Sequence, residues 1–163
     1  MRICLRVVLS IVVWAGTTAA YAGERVRSEF FPQRHLALAG QWANPHFSGD
    51  IDADSRVVAA YSEVELRLFI PPAFTSSPQP VQIFMVIPAQ IPGLDGGGGL
   101  EMSWTTRGRL LNGTGRPGDR VPIFEGLVSE PVLADFLNLT ISIDARRMLG
   151  ALRIDPFFEI ERR

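Results

Sequence analysis

Lysine is missing from this chain: all 16 of its basic residues, in a length of 163, are arginine. Arginine codons are GC-rich and lysine codons AT-rich, so a high-GC bacterial genome accounts for the bias. Selection for planar guanidinium chemistry at an interface is the competing account. Cysteine is nearly missing too. The single one, Cys4, precedes the apolar run Val7 to Ala15 instead of closing it, so a lipid-anchoring cysteine does not fit. Beyond that run there is no thiol to act as a nucleophile and no disulfide to staple a fold. Small secreted eukaryotic domains are usually dense in disulfides, so the shortage points to a bacterial protein that stands on packing alone. Basic clusters are also missing, which removes the case for nucleic acid and for a polybasic membrane patch. There is no G-x-S-x-G elbow, and no G-K-[ST] follows the one glycine run.

The N-terminus, by contrast, carries a clear pattern. Arg2 and Arg6 make a positive start, the apolar run follows, and Ala20-Tyr21-Ala22 forms a small-x-small cleavage site before Gly23. This is the layout of a secretory signal peptide. The apolar segment is broken at Gly16, Thr17 and Thr18, short of the roughly 20 apolar residues that span a membrane. The expected organisation is a cleaved leader, 1–22, and one domain, 23–163, in the periplasm or outside the cell. With Arg2 and Arg6 taken from the 16 arginines, that domain is outnumbered by its 17 acids and stays mildly acidic.

The domain reads as β structure from end to end. Val64, Leu66, Leu68 and Ile70 alternate with Glu63, Glu65 and Arg67, and Pro71-Pro72 stops the run. Leu137, Leu139, Ile141 and Ile143 alternate with Asn138, Thr140 and Ser142; a third run covers Leu152, Ile154, Phe158 and Ile160. That period of two marks half-buried strands. Val81 to Ile87 is apolar on both faces and suits a central strand. Leu100 to Arg107 alternates again and can run on to Leu111. Arg120 to Val128 is read as an edge or bulged strand because of Pro122 and Gly126. Weaker candidates are Glu24 to Phe31, Leu36 to Trp42 and Arg56 to Tyr61. Asp144 to Leu149, with Asp144 as N-cap and Gly150 as stop, is the best helical piece; Pro131 to Phe136 suggests a helical turn. The expected fold is a single all-β antiparallel sandwich of about eight or nine strands.

Candidate sites are few. Asp50, Asp52 and Asp54 alternate as oxygen ligands for calcium would. An EF-hand loop wants glycine at position 6 and glutamate at position 12, where this chain has Ser55 and Tyr61. A solvated turn is the competing reading, and no other cofactor is expected. His35 and His46 would need those aspartates to hold zinc. Gly96 to Gly99 leads into strand-like sequence, so it reads as a loop tip and not as a phosphate cradle. Arg109, Arg116 and Arg120 could rim an anion, or be neutralised by nearby acids. Trp42, Trp104 and Tyr61 are the only rings for a sugar platform. Phe69, Phe84 and Phe157 fall opposite the inward positions of their strands. With Trp42 and Trp104 they are the candidate partner-facing residues. No catalytic residue is assigned. The expected function is therefore an exported binding module that meets a protein or an envelope component, not an enzyme. A small envelope hydrolase acting on glycan or ester bonds, and a structural subunit of a surface assembly, are the alternatives.

Overall fold

The structure is a computed structural model that describes residues 23–31, 41–43 and 55–163. The expected leader, His35, His46 and the Asp50, Asp52, Asp54 loop lie outside the described residues, as does most of the candidate strand 36–42.

The described strands are β1 (Glu24–Phe31), β2 (Gln41–Trp42), β3 (Arg56–Phe69), β4 (Pro80–Val86), β5 (Leu100–Thr106), β6 (Gly113–Gly115), β7 (Arg120–Leu127), β8 (Val132–Asp144) and β9 (Phe157–Arg162). The all-β expectation is met. The strands form one antiparallel sheet in the order β6-β5-β8-β3-β1-β9-β4-β7, with β2 added beside β3. Its two ends come together. Leu111, just before β6, donates its backbone N–H to the Ile123 carbonyl of β7 at 2.7 Å, so the sheet is nearly closed into a barrel. Where the turn spacing led us to expect two separate sheets, β1 joins the halves: Glu24, Arg25 and Val26 pair with β9, and Arg27 to Phe31 pair with β3.

Alternation decides which side chains fill the barrel. Val26 from β1, Leu66 and Leu68 from β3, Ile83 and Met85 from β4, Trp104 from β5, Ile141 and Ile143 from β8, and Phe158 and Ile160 from β9 are all buried in one core. Each such side chain contributes about 1.5–3 kcal/mol by leaving water, which is how the fold holds without disulfides. The outward positions include Arg25, Arg27, Arg67 and Glu159. An apolar interior with a charged wall is the reverse of a lipid-facing barrel. No helix among the described residues is long and apolar enough to cross a membrane.

Two bulges explain where the pattern skips. In β3, Tyr61 pairs with Leu139 but Val64 with Leu137, so one extra residue is inserted. Odd residues (Ala59, Tyr61) face inward before it and even ones (Leu66, Leu68) after it. Glu63 takes a φ of 55° there, and its N–H is received by the Asn138 side chain at 3.1 Å. A single 14-residue strand therefore reads as two. In β7, Ile123 is the extra residue, since Ile83 pairs with Phe124 and Phe84 with Pro122. The expected bulge near Pro122 is present, and so is the central position of β4, between β7 and β9.

Three expectations change. Pro131 to Phe136 is not a helical turn, because Val132 to Phe136 pairs with β3 as the start of β8. The strand from Leu152 shortens to Phe157–Arg162, since Asp155-Pro156 interrupts it; Leu152 and Ile154 still pack on the core. The β5 strand stops at Thr106 and does not reach Leu111. Pro72 opens a single helical turn, α1 (Pro72–Thr75), whose Phe74 is buried. Asp144 does cap a short 3₁₀ turn, Ala145–Arg147.

Candidate functional site

The outer face of β8, β3 and β1 is a small grid set by register. Phe136, Glu65 and Phe31 form one row; Ala134, Arg67 and Glu29 the next; Val132, Phe69 and Arg27 the third. Within it the two strands β1 and β3 make the same two kinds of contact twice, the ring contact once between directly opposite residues and once along a diagonal. Arg27 forms an ion pair with Glu29 on its own strand and lies over the Phe69 ring of β3, 4.7 Å from its centroid. Arg67 pairs with Glu65 on its own strand at 2.7 Å and lies over the Phe31 ring of β1 at 4.6 Å. The hydrogen bond to Glu65, with its charge, raises the Arg67 pKa further above an already high value. Beside them Phe136 is 53% exposed, with no arginine stacked on it among the described residues.

The pattern continues around the barrel. Arg25 lies 4.4 Å from the Phe157 centroid, and Arg120 lies 3.4 Å from that of Phe84. Arg120 also donates to Glu159 at 2.9 Å and Glu161 at 2.7 Å. Burial pulls its pKa down, but the two carboxylates outweigh that and the net shift is upward. With Arg109 on Phe124 and Arg162 on Phe74, six such stacks occur among the described residues. Significant instances are usually found about once per 70–80 residues, so guanidinium–ring stacking is frequent in this fold. In four of the stacks, those of Arg27, Arg67, Arg109 and Arg120, the flat guanidinium lies over a ring and also pairs with a carboxylate. Such a plate can receive a carboxylate or an aromatic face from a partner.

The residues singled out in the sequence separate. Phe69 sits inside the grid. Phe157 and Phe84 lie on the β9–β4 side of the wall, half-buried and buried beneath Arg25 and Arg120. Trp42 is exposed on β2, opposite Val57. Trp104 points into the barrel at 2% exposure and donates its indole N–H to the Leu111 carbonyl at 3.0 Å. Tyr61 packs against the core; its hydroxyl is buried with no partner among the described residues, and burial pushes its pKa up. No sugar platform forms from these three rings. Arg109, Arg116 and Arg120 do not make an anion rim either, since each is taken by a different acid: Glu130, Glu101, and the Glu159 and Glu161 pair. The glycine run is a loop between β4 and β5, with Arg147 lying over Gly98 and Gly99.

Sequence reasoning missed the arginines and the rings of Phe31 and Phe136. The available signal was the spacing Arg27-x-Glu29-x-Phe31 set against Glu65-x-Arg67-x-Phe69. Run antiparallel, these place Arg27 opposite Phe69 and Arg67 opposite Glu29, diagonal to Phe31. Among the described residues no group of three or more His, Cys, Asp or Glu is placed to hold a metal ion. No family model matches the chain, and no curated protein or solved structure matches it.

Proposed function

We propose that residues 1–22 are removed on export and that the remaining domain is a non-enzymatic bacterial binding module. It works in the periplasm or outside the cell, and it meets a protein or envelope component through the outer face of β8, β3 and β1. The Arg27/Phe69 and Arg67/Phe31 stacks, beside the exposed Phe136, carry this reading. Arginine and aromatic side chains dominate the energetics of protein interfaces. Here the long arginines are held in place beforehand, so less rotamer entropy is lost when a partner docks. We read the barrel itself as flattened into sandwich-like halves, β6-β5-β8-β3 and β9-β4-β7, hinged on β1.

The test is site-specific photocrosslinking in cells of the source bacterium. A photoreactive residue at Ala134 or Phe136 should give a discrete adduct; the same residue at Gln82, on the β4 side of the wall, should not. Absence of adducts from both grid positions, with the protein exported and folded, overturns the proposal.

A further inference from the structure

The start of β1 lies in a charged corner that the binding wall does not use. A Cβ built on Gly23 would fall 3.1 Å from the Glu159 Cβ, 3.2 Å from the Ile160 carbonyl oxygen and 3.3 Å from Arg120 Nη2. Position 23 is therefore pressed into the molecule, where any larger residue would crowd its neighbours. Continuing the register Glu24 opposite Ile160 and Arg25 opposite Glu159 puts residue 23 opposite Glu161. Arg120 reaches both acids, but through Oε2 of each. The Oε1 atoms of Glu159 and Glu161 have no hydrogen-bond partner among the described residues.

We propose that this corner is a docking site for the chain's own new N-terminus: cleavage after Ala22 places the Gly23 ammonium between Glu159 and Glu161. The inference rests on the export reading above. Hydrolysis of the Ala22–Gly23 amide by a leader peptidase consumes one water. Its hydroxyl goes to the Ala22 acyl carbon, its hydrogen to the Gly23 nitrogen, and that amine takes one further proton at neutral pH. The precursor has a neutral amide at this point and cannot make the contact. On this face Glu159 and Glu161 stand against Arg25 and Arg120, and Arg25 is turned over the Phe157 ring; Glu24 falls on the other face of β1, opposite Ile160. On the β4–β7 side, Gln82 is neutral and Glu125 is taken by Arg163. An ammonium there, received by the Oε1 atoms that Arg120 leaves over, ties the first residue of β1 to β9.

The experiment uses the full chain, expressed with its leader and purified after export. N-terminal sequencing should read Gly23 first. A different start overturns the export reading and this inference with it. The α-amino group is then titrated by NMR in wild type, E159Q, E161Q and a variant with one serine inserted between Ala22 and Gly23. An exposed α-amino group titrates at about 7.7–8.0. The docked one should titrate about one pH unit higher, should fall back in E161Q, and should be ordinary in the insertion variant, whose amine is displaced by one residue. An ordinary value in wild type starting at Gly23, or a raised value that neither glutamine substitution nor the insertion changes, overturns the docking while leaving the export reading intact.

Discussion

Arg27 and Phe69 are directly opposite in the β1–β3 ladder, and the guanidinium carbon lies 4.7 Å from the ring centroid. One contact therefore joins the strand that links the two halves of the barrel to the longest strand in the sheet. The same two strands repeat it with Arg67 and Phe31. Phe31 and Phe69 are half-buried under these guanidinium groups, which lets an apolar surface remain in water without becoming a loose hydrophobic patch.

Arg27 and Phe69 should be energetically coupled. Arg27 is well exposed, with its side chain at 72%, so the coupling should be near the exposed cation–π value of about 0.5–1 kcal/mol. A double-mutant cycle of R27A and F69A, read by urea denaturation, measures it. Raising salt from low to molar concentration should weaken the Arg27–Glu29 pair while much of the Arg27–Phe69 term survives. Additive single mutants would mean that the stack is geometric only.

Asp144 should give the stability curve an acid-dependent component. Its carboxyl lies well below the usual carboxylate range, first because the Arg146 side chain hydrogen-bonds to it, then through Ser55, with burial acting the other way. A depressed native pKa means that the unfolded chain binds the proton first. The contribution is therefore complete above the ordinary value of 3.8 and is lost as pH falls below it. Wild type should exceed D144N in stability at pH 7, and the gap should narrow steadily from about pH 4 downward. A gap that stays constant to pH 2 would contradict this assignment.

Much of the strand layout was legible because one face of each strand is buried: Leu66 and Leu68, or Ile141 and Ile143, force period two on the sequence. What was not legible came from two sources. Residues at bulges change face, so the runs on either side of Tyr61 and Val64 look like separate strands. Asp135 breaks the apolar series Leu133, Leu137, Leu139, which hides the first third of β8 and with it Phe136. Closure was hidden as well, because it depends on where β1 bends between partners and on one Leu111–Ile123 hydrogen bond. The arginine roofs were hidden for a different reason. They are relations between strands, and only the register of β1 against β3 brings Arg27 to Phe69.

Trp104 should not tolerate a side chain at Gly113. A Cβ there would lie 2.5 Å from the Trp104 Cζ2 atom. The ring cannot swing away freely, because its N–H is held by the Leu111 carbonyl. Overpacking of this kind typically costs about 1–3 kcal/mol. G113A should therefore lower the urea midpoint and shift tryptophan emission, while G150A, where nothing lies within 4 Å of the new Cβ, should leave both near wild type.

Asp135 should be the pin that holds the barrel shut at its seam. It is the one charged side chain among the described residues that is buried, at 6% exposure. Its carboxylate accepts the backbone N–H of Leu110 at 2.8 Å and of Phe136 at 2.7 Å. Gly108 leaves it room, since a Cβ there would come within 2.7 Å of Oδ1. Leu110 is thereby fixed one residue before Leu111, whose N–H crosses to β7. Removing the carboxylate strands two N–H groups that water reaches poorly, and hydrogen bonds to charged groups contribute about 1.5–3 kcal/mol. D135A should lose about that much in urea unfolding, and D135N, which keeps one acceptor oxygen, should lose less. The diagnostic is local: amide exchange at Leu110 and Leu111 should speed up more than at Ile141, deep in β8. Uniform acceleration across all three would mean that Asp135 supports the whole fold and does not act at the seam in particular.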